Sequence, residues 1–131
     1  MSMLSDPLGG AAVLIIDDDV ALLRTLAQRF HLAGCRVTVA RDGGEGLAKF
    51  DEVRPDVVVT DILMPNREGV ETILAMKARG EVRIVAISGG GLLGSAAVLD
   101  LARRLGADAV LAKPFRAHDI LEAVRKVLRA C

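Results

Sequence analysis

Residues 57–65 read VVVTDILMP. Three valines lead through Thr60 to a carboxylate at Asp61, then the chain turns apolar again until Pro65 stops it. An unbroken run of β-branched residues fits a strand buried on both faces, and such strands belong in parallel sheets. A carboxylate at the end of a buried strand is costly unless something pairs with it. The reading of the chain turns on what Asp61 is for.

Working outward, the same alternation recurs on both sides. Upstream, Ala11–Ile16 reads as a buried strand, and Leu23, Leu26, Ala27 and Phe30 follow at helical spacing, with Gly34 placed to end that helix. Arg36–Ala40 alternates like a strand, and a short helix is expected around Glu45–Phe50, presenting Leu47 and Phe50. Downstream, a helix over Gly69–Arg79 is expected to turn Val70, Ile73 and Leu74 inward. Arg83–Ile87 reads as a fourth strand, and Ser95–Leu105 as a helix with Val98, Leu101, Ala102 and Leu105 on one stripe. Ala109–Leu111 makes a short fifth strand and Ala117–Arg129 a last amphipathic helix. Strands alternating with helices predict an α/β fold, a doubly wound five-stranded parallel sheet in the order 2-1-3-4-5, the flavodoxin-like arrangement.

At 131 residues the chain suits one domain, read as residues 11–131 behind a loose leader over residues 1–10. With 52% hydrophobic residues, general disorder is excluded. Seventeen basic residues balance seventeen acidic ones, so there is no electrostatic footprint for nucleic acid. Cys35 and Cys131 have no metal or disulfide spacing. The opening residues carry no signal-peptide pattern, and the longest apolar run is too short to span a bilayer. The expected location is cytoplasmic.

In a doubly wound sheet, function collects beyond the carboxyl ends of the strands. There the sequence places Asp17, Asp18 and Asp19 after the first strand, Asp61 after the third, Ser88 with glycines after the fourth, and Lys113-Pro114 after the fifth. Carboxylates about 5 Å apart repel by roughly 3 kcal/mol per pair at an effective dielectric of 20. A cation must offset this, or a proton must be taken up. Oxygen ligands without His or Cys suit Mg²⁺ better than zinc. A carboxylate can also attack phosphorus to form an acyl phosphate, with Lys113 and Ser88 binding the phosphoryl oxygens. Asp19 reads instead as the cap of the first helix.

These motifs together, LIIDDD (14–19), VVVTDILMP with Gly69, AIS (86–88) and LAKPF (111–115), resemble the receiver domains of two-component response regulators, the CheY-like superfamily, from about Ala11 to Arg129. The resemblance implies a phosphorylation-controlled signalling switch rather than an enzyme. Asp61 would take a phosphoryl group from a sensor histidine kinase or a histidine phosphotransferase. Asp17, Asp18, Asp61 and the Leu63 backbone carbonyl would hold Mg²⁺ or Mn²⁺. Ser88 and Lys113 would contact the phosphoryl group, and the Lys113–Pro114 peptide would be cis. A downstream protein target would meet the face made by the fourth helix, fifth strand and fifth helix. No direct nucleic-acid or membrane partner is expected, and the chain would be a monomer or a phosphorylation-dependent dimer. It would be either a stand-alone regulator or part of a longer one.

The chain departs from its relatives at Val110, where receivers usually carry Phe or Tyr three positions before the lysine. Leu63 and Gly90 are less polar than is common at their positions, and Arg67 replaces a commonly apolar residue. Three other readings compete. An interaction module without phosphorylation remains open through Val110. A phosphatase of the haloacid dehalogenase type would use the Asp-x-Asp in 17–19, but only the helical Asp119 and Glu122 could complete its metal site. A flavin carrier lacks Trp and Tyr for stacking.

Overall fold

Successive residues of a strand point to opposite faces, so an unbroken apolar strand needs a hydrophobic layer on each side. The computed structural model describes residues 6–62, 68–89 and 95–130. Its elements in chain order are β1 (Ala12–Ile16), α1 (Val20–Leu32), β2 (Arg36–Ala40), α2 (Gly43–Val53), β3 (Val57–Asp61), α3 (Glu68–Ala78), β4 (Arg83–Ser88), α4 (Ser95–Leu105), β5 (Ala109–Ala112) and α5 (Ala117–Arg129). The strands form one sheet in the order β2-β1-β3-β4-β5, and every pairing is parallel. This is the doubly wound flavodoxin-like fold expected from the alternation.

The layers sort by strand position. Val13, Ile15, Val57, Val59, Val85 and Ile87 share one core cluster with Phe30 of α1 and Ile120 and Val124 of α5. Their strand neighbours Leu14, Ile16, Val58, Ile84 and Ala86 face the other, with Phe50 of α2, Ile73 and Met76 of α3, and Ala102 of α4. Among the described residues, no helix is long and apolar enough to cross a membrane.

Local chemistry explains the helix ends. Asp19 has extended backbone and accepts a hydrogen bond from the Leu22 amide at 3.1 Å, capping α1. At the other end, Gly34 adopts φ +94°, the left-handed geometry that stops a helix. Asp42 caps α2 by accepting from Glu45 N at 2.8 Å, so α2 begins at Gly43 rather than near Glu45.

Three expectations need correction. Residues 6–10 are not loose: Leu8 is fully buried and Gly10 N donates to Gly34 O at 2.9 Å. Leu74 is 51% exposed, because α3 presents Thr72, Ile73 and Met76 to the sheet instead. Leu101 is 43% exposed, because the inward stripe of α4 is centred on the buried Ala102. In both helices a small or polar residue takes the inward position and rotates the stripe away from the leucine. The readings placed on Leu63, Pro65, Arg67, Gly90 and the Val98 side chain lie outside the described residues.

The amino ends of the strands show a repeated device that the sequence reading did not pick out. Asp56, just ahead of β3, accepts from Ala12 N at 2.8 Å through its side chain and donates its own amide to Ala12 O at 2.8 Å. Asp108, just ahead of β5, does the same to Ile84, at 2.8 and 2.7 Å. Each carboxylate satisfies a backbone N–H in the first two residues of the neighbouring strand. The only signal in the sequence is an Asp one residue before each apolar run.

Candidate functional site

Register decides which side chains meet. Ile16 pairs with Thr60 across β1 and β3, so Asp17 and Asp61 leave adjacent strands at the same level. Asp61 in turn pairs with Ile87, and Ser88 pairs with Ala112, so Ser88 and Lys113 emerge at the same edge. The sheet is anchored there by Asp17 N donating to Ala40 O (3.1 Å), Ile62 N to Ile87 O (3.0 Å) and Lys113 N to Ser88 O (2.7 Å).

Three of the four strand-end chemistries converge closely. Lys113 Nζ lies 3.0 Å from Asp17 Oδ2 and 3.0 Å from Asp61 Oδ2, a charge-assisted hydrogen bond to each. Asp17 is completely buried and Asp61 nearly so. Asp18 is exposed at the mouth, yet Asp17, Asp18 and Asp61 each offer a carboxylate oxygen within 4.8 Å of the others. Asp17 Oδ1 also accepts from Asp19 N at 2.9 Å, which fixes the carboxylate's rotation. Ser88 is buried; its hydroxyl donates to its neighbour Gly89 O at 3.4 Å, a long bond that holds it only weakly. The Lys113–Pro114 peptide is cis.

The electrostatics are unbalanced. Burial pushes the Asp17 carboxyl above the ordinary range, and the Asp61 charge adds to this; the bond from Asp19 N and the pairing with Lys113 offset it only in part. For Lys113, burial works against the ammonium, but the bonds and charges of Asp17 and Asp61 outweigh it, so its pKa rises. Lys113 is thus one cation facing two carboxylates. An oxygen-only set of three carboxylates, one of them exposed, fits a hard divalent ion such as Mg²⁺.

Other residues singled out by sequence take different places. Val110 sits in β5 opposite Ala86 and packs against the α2–α3–α4 layer, partly buried. Asp119 Oδ2 accepts from Arg116 N at 2.9 Å, and Glu122 Oε1 from Arg125 at 2.6 Å. Both acids are thus engaged along α5 and do not join the cluster. Gly69 is a contributor whose reach sequence understated. It lies in the first turn of α3, where an added Cβ would stand 2.4 Å from Ile62 Cα, 2.6 Å from Ile62 O and 2.7 Å from Asp61 O. α3 therefore rests directly on the backbone that carries Asp61.

Comparison with known proteins agrees with this geometry. A family model described as "Response regulator receiver domain" matches residues 13–125. Transcriptional regulatory protein TrcR of Mycobacterium tuberculosis is 37% identical over 119 residues, covering 89% of this chain and 45% of that protein. Transcriptional regulatory protein PrrA of Mycobacterium leprae is 36% identical over 120 residues, 89% of this chain and 49% of that one. The chain thus spans about half the length of these relatives. Among solved structures, a CheY-like response regulator receiver domain protein from Methanospirillum hungatei superposes with TM-score 0.81 at 31% identity, covering 93% of this chain and 96% of that one. A structure titled "BeF3 Activated DrrB Receiver Domain" gives TM-score 0.78 at 26% identity, covering 92% and 98%.

Proposed function

The chain belongs to the response regulator receiver domains, the phosphorylation-controlled switches of two-component signalling, and we propose that Asp61 is the residue in it that takes the phosphoryl group. The observation that carries this is the 3.0 Å contact of Lys113 with both Asp61 and Asp17, beside Asp18, at the carboxyl edge of the sheet. It sets a nearly buried carboxylate on a strand end beside a partly exposed ammonium and an exposed carboxylate.

In the proposed reaction an Asp61 carboxylate oxygen attacks phosphorus, forming an acyl phosphate, while the bond from phosphorus to the donor's imidazole nitrogen breaks. The nitrogen keeps the electron pair and takes a proton from water. Lys113 already faces the Asp61 oxygen, so its ammonium meets a phosphoryl oxygen without rearranging. Ser88, weakly held, is free to turn its hydroxyl to another. Asp17, Asp18 and Asp61, with the Leu63 backbone carbonyl, would hold the Mg²⁺ or Mn²⁺ that neutralises charge on the phosphoryl oxygens. Receiver domains interact with histidine kinases and downstream effectors. For this chain the donor is proposed to be a sensor histidine kinase or histidine phosphotransferase, and the surface for the downstream protein to be α4, β5 and α5. A transferred phosphoryl group makes the Asp61 side chain more negative by about one unit, because the carboxylate charge is consumed in the acyl bond, and biases neighbouring loops between two arrangements. With Asp119 and Glu122 engaged elsewhere, the phosphatase reading loses its extra ligands.

Intact mass after incubation with a small phosphodonor and Mg²⁺ tests the assignment. One added phosphoryl group is expected on the wild type, and none with chelator or in Asp61→Asn. An unmodified wild type that also fails to bind beryllofluoride would favour the interaction module.

The raised Asp17 pKa adds a pH dependence. A carboxyl raised in the fold contributes stability that is fully present below its unfolded value of 3.8 and is lost as pH rises through the folded value. Metal-free protein therefore loses stability at Asp17 as pH rises. Saturating Mg²⁺ is expected to raise the melting temperature more at about pH 7.5 than at about pH 5, where protons compete for Asp17. Equal shifts at both values, by calorimetry, would separate Asp17 from the metal.

A further inference from the structure

Residues 6–10 lie ahead of the span matched by the family model, which begins at residue 13, yet they are tied into the fold at several points. Leu8 is fully buried in the core layer that holds Phe30, Cys35 and Val127. Its carbonyl accepts from the Cys35 thiol at 3.2 Å, and its amide donates to Asp6 Oδ1 at 3.0 Å. Gly10 is held from both sides, its N–H by Gly34 O and its carbonyl by Arg36 Nε at 3.4 Å. Asp6 then reaches α5. Arg125 donates through Nε to Asp6 Oδ1 at 3.0 Å and through a terminal nitrogen to Oδ2 at 2.8 Å, while its other terminal nitrogen holds Glu122 at 2.6 Å.

One turn of chain thus bridges the α1–β2 junction to the outer half of α5. The other end of α5 begins at Ala117, three residues after Pro114. We propose that residues 6–10 are a latch. Closed, the turn pins the outer half of α5 to the α1–β2 junction and seals Cys35 beneath Leu8. Open, it frees both the helix and the thiol. Burial of a whole leucine outweighs a partly exposed ion pair, so Leu8 is the bolt and Asp6–Arg125 sets its register. The latch itself stands whether or not Asp61 is phosphorylated.

Cys35 reports the state of the latch. The test is alkylation of Cys35 by iodoacetamide, followed by peptide mass in the full chain carrying Cys131→Ser. Local opening makes the rate insensitive to low urea, whereas access through global unfolding makes it climb with the full denaturant slope. The expected result is slow, urea-insensitive labelling, faster by about threefold in Asp6→Ala and by roughly thirtyfold or more in Leu8→Ala, with the circular dichroism spectrum unchanged. Labelling of the unmutated latch at the rate of a free thiol would overturn the proposal. So would rates in every variant that follow only global unfolding, since Cys35 would then be an ordinary core thiol.

Discussion

Gly69→Ala is expected to destabilise the domain by about 2–4 kcal/mol, although alanine is the better helix former. Helix propensity favours the substitution by about 1 kcal/mol. Against this stands a methyl group placed 2.4–2.7 Å from Ile62 Cα, Ile62 O and Asp61 O. All three are backbone atoms, and no rotamer change can move them aside. The first turn of α3 must back away or β3 must bend, and either displaces the strand end bearing Asp61. Gly46→Ala is the useful contrast. Its added methyl would meet Ile16 Cδ1 at 2.5 Å, the far end of a side chain that can turn, so the expected loss is nearer 1 kcal/mol. Urea unfolding of both variants checks the ranking. A neutral Gly69→Ala would mean that α3 does not rest on the Asp61 backbone.

The second large effect is at Lys113. Lys113→Ala removes the cation between Asp17 and Asp61, two buried carboxylates that each lie 3.0 Å from its ammonium. Breaking a buried ion pair costs about 3–5 kcal/mol. Here the lysine side chain is 24% exposed, and a carboxyl can take up a proton, so the expected loss at neutral pH in chelator is smaller, about 2–3 kcal/mol. Mg²⁺ then has no ammonium to compete with. It is expected to bind Lys113→Ala more tightly than wild type, by roughly tenfold, and to recover part of the lost stability. Titration calorimetry reads the affinity. Weaker Mg²⁺ binding in the variant would show that the lysine organises the carboxylates for the metal instead of opposing it.

The fold was legible because its signals were redundant. Each strand that pairs on both sides is an apolar run, and a parallel sheet with helices on both faces accounts for such runs economically. The convergence of Asp17, Asp61, Ser88 and Lys113 followed from the topology alone, since all stand at carboxyl ends of strands. What failed was local. Leu74 and Leu101 were expected inward from helical spacing, but both stand exposed, while Thr72 and the Ala102 already expected on the stripe are buried. Gly69 gives the reason on α3: a residue without a side chain sets the contact, and hydrophobicity does not register it. The leader misled for a related reason. Ser, Asp, Pro and Gly read as loose chain, while Leu8, a single apolar residue among them, carries the docking. The unequal pull on Lys113 and Asp17 was out of reach of sequence altogether, because it depends on distances and burial.

The most direct test of the account is to locate the phosphoryl group chemically. Borohydride reduces an acyl phosphate to the alcohol, converting a phosphorylated aspartate to homoserine. After incubation with phosphodonor and Mg²⁺, reduction and digestion, the peptide containing residue 61 is expected to carry homoserine at that position and aspartate at 17 and 18. Homoserine at Asp17 or Asp18, or a phosphoryl group resistant to reduction and carried on another side chain, would contradict the assignment of Asp61.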